Sequence, residues 1–182
     1  EKAINLAKQH GYTIQPLSVN KSGRTWEILD DTTLVAPLTT IKGLGDKAID
    51  QILAHRPFET IEEFLFHDEI VYSKLNKKCL DALARAGAMR ELQDDRFTGD
   101  KHFWTATCVD RPRKLKNLAE NIERYRPEGN FSTDERIDFL ANLTGIFPIS
   151  MVIDDAIQNK LDQYGVPPIS EYDRELQMCW CI

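Results

Sequence analysis

A pair of glycines in the first third of the chain constrains its local fold more than any other feature. Gly43 and Gly45 flank a single leucine in the stretch from Thr39 to Leu53, which reads TTIKGLGDKAIDQIL. Glycines on both sides of one aliphatic residue let the backbone turn tightly with no Cβ in the way. Apolar residues recur behind the turn at helical spacing, and they are Ala48, Ile49, Ile52 and Leu53. The stretch therefore predicts a tight turn followed at once by a helix with one buried face.

The same turn predicts an anion site. The first amides of a helix have no intrahelical partners, and the positive end of the helix dipole lies beside them. Phosphate is a common ligand at such an N-terminus. The full pattern from Ile41 to Ile52, Ile-x-Gly-Leu-Gly-x-x-Ala-x-x-x-Ile, is typical of a helix-hairpin-helix motif. It favours nucleic-acid phosphate over the alternative of a glycine-capped turn with no ligand.

Capping and turn signals predict that the chain is mainly α. Thr60 with Glu63 and Ser132 with Glu135 have the spacing of capping boxes ahead of apolar runs. Helices are also expected over 1–10, 115–125 and 154–165. Short β elements are expected as a hairpin over residues 26–36 and as a strand over 176–182.

A second helical hairpin is predicted after the first. Lys74-Leu75-Asn76 stands where the first unit has Gly-Leu-Gly. Asn76 is a suitable N-cap for the helix that follows, and Gly87 would end that helix. The aromatic residues between the two units are expected to pack in the core rather than stack on bases, and they are Phe58, Phe64 and Phe66.

Motifs along the first half of the chain occur in one order and at one set of distances. They are Gly11-Tyr12-Thr13-Ile14, Pro16-Leu17-Ser18-Val19-Asn20-Lys21-Ser22, Ile41-Lys42-Gly43-Leu44-Gly45, Arg56-Pro57-Phe58, and Leu75-Asn76-Lys77-Lys78 with Ala86-Gly87-Ala88. The series resembles the alpha subunit of the bacterial C-family DNA polymerase III, from the end of the fingers through the helix-hairpin-helix domain. The resemblance is close up to about residue 92, and residues 96–131 have no clear counterpart. Pro16-Leu17-Ser18 replaces the family's usual Pro-Pro-Asp, which suggests a divergent member such as a phage-encoded one.

The resemblance implies a tandem helix-hairpin-helix domain with flanking helices. Residues 1–30 would end a fingers-like region, 31–95 would form the tandem hairpins, 96–175 a helical connector, and 176–182 the truncated first strand of an OB-fold. The palm, with its Mg²⁺-binding carboxylates, would lie upstream of this chain. The fragment is thus expected not to be an enzyme, whereas its parent would be a DNA-directed DNA polymerase, a nucleotidyltransferase of DNA replication.

The resemblance also implies a way of holding duplex DNA. In the family, hairpin carbonyls hold a monovalent cation that bridges to a phosphate, while neighbouring amides bond the phosphate oxygens. By position, the groups are the carbonyls of Thr39, Ile41 and Leu44 for K⁺ or Na⁺, the amides of Gly43, Gly45 and Lys47 for the phosphate, and the side chains of Lys42, Lys47, Lys77 and Lys78 for added charge. Asp46 and Asp50 would offset part of that charge. No other cofactor is implied, and such contacts position DNA without reading its sequence.

Charge alone does not identify a nucleic-acid binder here. The net charge is −6, but residues 1–127 carry 20 basic and 19 acidic side chains, whereas residues 128–182 carry 3 and 10. Two basic clusters lie in the first part: Lys74, Lys77, Lys78, Arg85 and Arg90, and then Arg111, Arg113, Lys114 and Lys116. Two alternatives remain open, namely a structural spacer between fingers and OB-fold without DNA contact, and a protein-docking module, for instance for a sliding clamp.

Other kinds of site are not signalled. The four cysteines lack C-x-x-C spacing, which favours reduced thiols over zinc or disulfides. The four histidines are scattered without ligand spacing. A glycosylase of the helix-hairpin-helix type would need an aspartate where Leu65 stands. No run approaches the roughly 18 apolar residues of a membrane span, so a cytoplasmic protein with no membrane partner is expected.

Overall fold

The computed structural model describes residues 2–145 and 155–166, and the chain divides into two compact units, Glu1–Ile146 and Phe147–Ile182. The helices are α1 Lys2–Gln9, α2 Asp46–His55, α3 Ile61–Phe66, α4 Lys77–Arg85, α5 Asp100–Trp104, α6 Leu115–Tyr125, α7 Thr133–Thr144 and, in the second unit, α8 Asp155–Gln163. The prediction of a mainly α fold is confirmed. The strand predicted at 176–182 lies outside the described residues. Among the described helices, none is long and apolar enough to cross a membrane.

A small sheet precedes the first helical hairpin. Its strands are β1 Thr13–Gln15, β2 Glu27–Asp30 and β3 Thr33–Val35, in the order β1-β3-β2. β2 and β3 are antiparallel, which confirms the predicted hairpin, and β1 is parallel to β3. β1 was not predicted, because three residues are too few for an alternating pattern to be recognised. Buried Val35 ends β3, and the chain then enters a single 3₁₀ turn, Leu38–Thr40.

The helix caps follow the sequence closely. At α7, Ser132 and Glu135 form the complete capping box that their spacing predicts. At α3, the Thr60 hydroxyl accepts from the Glu63 amide at 3.2 Å, but the Glu63 carboxylate accepts from the Glu59 amide at 2.7 Å. The box predicted at α3 is therefore only half formed.

One hydrophobic core runs through both hairpins. Leu44 and Leu75, the central residues of the two turns, are 7% and 0% exposed. Phe58 and Phe64 are buried and meet edge to face with ring centroids 4.9 Å apart, and Phe66 packs against the same core. The prediction that these aromatic side chains belong to the core is confirmed.

Residues 96–131 add to that core by packing on α4. α5 runs into a π-helical turn, Thr105–Val109, whose Cys108 thiol lies 3.5 Å from the Leu80 carbonyl of α4. The Trp104 indole donates a 2.8 Å hydrogen bond to the Asp81 carboxylate. The apolar side chains that this segment supplies are Phe97, Phe103, Ala106, Cys108, Leu118 and Ile122.

The loop over residues 16–22 ties the end of α2 to the rest of the unit. The Asn20 side chain makes two 2.8 Å hydrogen bonds with the backbone of Phe58, donating to its carbonyl and accepting from its amide. Arg56 donates to the Asn20 carbonyl at 3.1 Å, and the Val19 amide donates to the Ala88 carbonyl at 2.8 Å. Asn20 thus serves as an additional backbone partner between segments 38 residues apart.

Candidate nucleic-acid interface

The first hairpin turn presents its backbone to solvent. Gly43 has φ +88°, a conformation that residues with a Cβ rarely adopt. The Leu44 side chain is buried beneath the turn, while Gly43 and Gly45 are exposed. The turn is closed by a 3.2 Å hydrogen bond from the Leu44 amide to the Ile41 carbonyl. Because the Leu44 side chain is buried, the backbone of Gly43 and Gly45 faces solvent.

Four amides at the start of α2 have no hydrogen-bond partner within residues 2–145 and 155–166. They belong to Gly43, Gly45, Asp46 and Lys47, all of which are exposed. Gly45 is the N-cap, and it offers no side chain to accept from these donors. Within α2, the first amide with a partner is that of Ala48, which donates to the Gly45 carbonyl at 2.9 Å. The donors that the sequence predicts are thus free at the positive end of the helix.

The predicted carbonyl groups lie on the same turn. The carbonyls of Thr39 and Leu44 accept no hydrogen bond from any described residue, whereas that of Ile41 is shared with the Leu44 amide. The Thr39 hydroxyl donates to the Arg24 carbonyl at 2.9 Å, which anchors the turn to the preceding loop. Two carbonyl oxygens are therefore available to a hard cation.

Arg24 neutralises the acidic side chains of α2. Its guanidinium pairs with Asp50 and, at 2.9 Å, with Asp46. Both carboxylates, Asp50 more than Asp46, raise the pKa of Arg24 above its ordinary value through these hydrogen bonds. Arg24, Lys42 and Lys47 together leave an excess of positive charge over the two aspartates.

The two lysines of the second hairpin occupy different positions. A Cβ placed on Gly43 would lie 3.7 Å from the Cε of Lys78, so the Lys78 side chain passes beside the first turn. The Lys77 ammonium instead donates to the Val109 carbonyl at 2.5 Å. Asn76 holds the start of α4 in place by accepting from the amides of Lys78 and Cys79 at 3.0 and 3.2 Å, which confirms the predicted cap.

The two basic clusters of the sequence meet at the start of α4. The contact between Lys77 and the Val109 carbonyl places the loop after Val109 beside the start of α4. In that loop, the Arg111 guanidinium stacks on the Tyr72 ring at 4.6 Å. Burial lowers the pKa of Arg111 and raises that of Tyr72. The other members of the second cluster, Arg113, Lys114 and Lys116, are exposed.

Arg85 is directed to a different part of the surface. It pairs with Asp81 and lies 5.0 Å from the Phe139 ring of α7. Its role is thus to hold α4 against α7, and it does not extend the basic surface.

Two residues of the site were missed by sequence reasoning. Arg24 precedes the motif by about twenty residues, and its pairing with α2 depends on the sheet that lies between. Leu143 is about a hundred residues from Lys42, yet its carbonyl accepts a 2.7 Å hydrogen bond from the Lys42 amide. Neither contact has a local signal, because each depends on tertiary packing.

Comparison with known proteins agrees with this geometry. A family model described as a helix-hairpin-helix motif matches residues 11–98. The tandem hairpins and their exposed turn backbone place the chain in the class of helix-hairpin-helix domains, a DNA-binding type of module.

The relatives define the family more narrowly. The DNA polymerase III subunit alpha of Pseudomonas aeruginosa is 37% identical over 179 residues, covering 87% of this chain and 15% of that protein. The error-prone DNA polymerase of Corynebacterium efficiens is 34% identical over 121 residues, covering 65% and 10%. The DNA polymerase III subunit alpha of Bacillus subtilis is 35% identical over 95 residues, covering 50% and 8%. The chain belongs to this C-family of polymerases as a helix-hairpin-helix segment.

The chain spans only a small part of each relative's length. The match to the Pseudomonas protein is nonetheless long enough to take in residues 96–131, for which the sequence alone indicated no counterpart.

Proposed function

We propose that this chain binds the phosphate backbone of duplex DNA, without reading sequence, as a module of a replicative DNA polymerase alpha subunit. The amides of Gly43, Gly45, Asp46 and Lys47 at the start of α2 have no partner in the described part of the chain, and this supports the proposal. Backbone amides at a helix N-terminus bind phosphate oxygens by hydrogen bonds and by the helix dipole. They do not reach base edges, so the affinity does not depend on the DNA sequence.

A monovalent cation fits the carbonyl side of the turn. The carbonyl oxygens of Thr39 and Leu44 accept from no donor among residues 2–145 and 155–166, and the Ile41 carbonyl has a remaining lone pair. K⁺ or Na⁺ held there would supply positive charge between the protein and a phosphate oxygen. The residues of this chain would hold the ion entirely through the backbone, so side-chain substitutions need not abolish it.

Lysine and arginine side chains extend the proposed surface beyond the turn. The Lys78 side chain passes beside Gly43, and exposed Lys42 and Lys47 lie next to the turn in the chain. Lys77 contacts the carbonyl of Val109, and the loop that follows carries Arg113 and Lys114. Few phosphates are engaged by such a surface, so the log–log salt dependence of binding should have a slope of only about −2 to −4. Mg²⁺-dependent polymerisation, and a contact with a sliding clamp or other replisome protein, are proposed for the parent polymerase as a whole.

A structural spacer that touches no DNA is the second candidate, and one contact favours it. The Lys42 amide is used internally, in the 2.7 Å hydrogen bond to Leu143, so the hairpin also serves as a docking point for α7. The C-terminal end of a helix carries partial negative charge, which would repel a phosphate placed beside it. A spacer needs no free amides at α2, and for this reason the DNA-binding function is preferred.

Charge reversal at the hairpin separates the two functions. Lys42→Glu with Lys47→Glu leaves both glycines intact and should reduce affinity for a short duplex by about tenfold, or about 1.4 kcal/mol. Fluorescence anisotropy at low salt measures the affinity, and thermal melting should show a midpoint close to that of the parent. The matched control is Lys21→Glu, an exposed charge reversal on the loop that ties down the far end of α2. Equal affinity of parent, double variant and control would favour the spacer.

A further inference from the structure

Three metal-ligating side chains converge at the end of α2 remote from the hairpin turn. They are His55, the last residue of α2, His67, which follows α3, and Glu69. One ligand atom from each lies within 4.8 Å of the others. The Nδ1 atom of His55 is 3.5 Å from a carboxylate oxygen of Glu69, and the two imidazole centroids are 4.9 Å apart. The sequence did not indicate this cluster, because α2 and α3 bring the histidines together over a spacing of twelve residues.

The distances suit a small tetrahedral ion. With zinc–nitrogen and zinc–oxygen bonds of about 2.0–2.1 Å, adjacent ligand atoms of a tetrahedral site lie about 3.3–3.5 Å apart. The His55–Glu69 separation already falls at this value. The Glu69 side chain is 77% exposed, so it can turn toward both imidazoles without displacing any packed group.

The histidines are held in place by their surroundings. Both are half-buried, and the Phe58 ring meets His67 edge to face with centroids 6.3 Å apart. The His67 amide donates to the Tyr72 hydroxyl at 2.9 Å, and that hydroxyl donates to the Phe64 carbonyl at 3.0 Å. His67 is therefore held in position by contacts with core residues, through both its ring and its backbone amide.

The chain beyond Glu69 is also anchored to α2. The Val71 amide donates to the Gln51 side chain at 2.6 Å, one turn before His55. The Nδ1 atom of His67 accepts from the Glu69 amide at 3.2 Å, so the lone pair of this nitrogen is directed at that amide. A metal ion at His67 Nδ1 would take the place of that amide proton.

We propose that His55, His67 and Glu69 form a zinc-binding site that joins the end of α2 to the connection between α3 and α4. Two imidazoles and one carboxylate are ligands that Zn²⁺ accepts, with a water molecule as the fourth. Mg²⁺ prefers oxygen ligands and is disfavoured by the two nitrogen donors. The ten residues of α2 separate this site from the hairpin turn by about 15 Å. The zinc site is thus independent of the proposed phosphate and monovalent-cation site.

Isothermal titration of the full chain with Zn²⁺ tests the proposal. We expect one site of 1:1 stoichiometry, a rise in the thermal midpoint on adding Zn²⁺, and no such rise with the same concentration of Mg²⁺. Glu69→Gln keeps the size of an exposed side chain and should weaken Zn²⁺ binding by at least tenfold while the metal-free protein melts as before. His55→Ala should abolish both the binding and the rise in midpoint. His10→Ala, which removes an exposed histidine elsewhere in the chain, is the matched control and should bind Zn²⁺ like the parent.

Substitution with Co²⁺ identifies the ligand atoms. Ligation by nitrogen and oxygen gives visible d–d bands without the near-ultraviolet charge-transfer band of a cobalt–thiolate bond, which Cys179 and Cys181 would produce. A thiolate band, or Zn²⁺ affinity unchanged in both Glu69→Gln and His55→Ala, would place the metal elsewhere and overturn the proposal. Absence of Zn²⁺ binding by the parent would overturn it too, leaving the approach of His55 to Glu69 as a simple polar contact.

Discussion

The Lys42 amide donates a 2.7 Å hydrogen bond to the Leu143 carbonyl, which joins the hairpin turn to the last turn of α7. The turn is therefore held from two directions, by its own buried Leu44 and by a helix that begins about ninety residues later. A backbone preorganised in this way loses little conformational entropy when a ligand binds.

Lys78→Glu should weaken duplex DNA binding more than Lys77→Glu. Lys78 lies beside Gly43, whereas the Lys77 ammonium is engaged by the Val109 carbonyl. We expect a loss of about tenfold for Lys78→Glu, equivalent to about 1.4 kcal/mol, measured by anisotropy titration. Lys77→Glu should instead lower the free energy of unfolding by about 1 kcal/mol through the lost hydrogen bond. The reverse order of affinities would contradict the placement of the surface around Gly43.

Arg24→Ala should reduce DNA affinity even though Arg24 lies outside the motif. Removing the guanidinium leaves Asp46 and Asp50 without their cationic partner near the N-terminal end of α2. The expected loss is about fivefold, or about 1 kcal/mol, and it should diminish at high salt because exposed charges are screened. Adding Asp46→Asn and Asp50→Asn to this variant should restore affinity. If the triple variant binds as weakly as Arg24→Ala, the neutralising role of Arg24 is wrong.

Asn20→Ala should destabilise the fold without changing the affinity for DNA. The substitution leaves the amide and carbonyl of Phe58 without their partners. Two lost hydrogen bonds correspond to about 2 kcal/mol, which urea unfolding can measure. The neighbouring Lys21→Ala removes an exposed side chain and should leave stability within about 0.5 kcal/mol of the parent. A marked change in DNA affinity for Asn20→Ala would indicate that the loop does more than hold α2.

Cys108 should make stability depend on alkaline pH. Complete burial raises the pKa of its thiol from 9.0 to about 12. Because the folded pKa is the higher one, the unfolded chain loses this proton first, and stability falls between these two values. Relative to Cys108→Ala, the parent should lose up to about 1.4 kcal/mol per pH unit in that window. Urea unfolding of both proteins at pH 8 and pH 10.5 measures the difference, and a gap that does not change with pH would contradict the prediction.

Much of the fold could be predicted because its signals are local. The exposed turn at Gly43 and the caps at Asn76 and Ser132 depend on residues within a few positions of each other, and the structure has them as expected. The strand at Thr13–Gln15 could not be predicted, since its partner is β3 and its length carries no pattern.

The candidate site divides in the same way. The free amides follow from the turn itself, whereas the pairing of Arg24 with Asp46 and the approach of Lys78 to Gly43 depend on how separate elements pack. The convergence of His55, His67 and Glu69 is of this second kind as well. Sequence spacing describes neighbours along one element, and it does not describe side chains that meet across two elements.

Because one core joins the hairpins to the segments packed on them, it sets the smallest fragment of this protein that can be grafted elsewhere. Trp104 and Cys108 contact Asp81 and Leu80 of the second hairpin. A graft that ended at residue 95 would therefore expose an apolar side of α4 to solvent. An exposed patch of that kind promotes aggregation. Anyone transplanting the hairpins as a DNA-affinity tag should therefore carry the chain through α7, and the tag would then weigh nearly as much as the whole first unit.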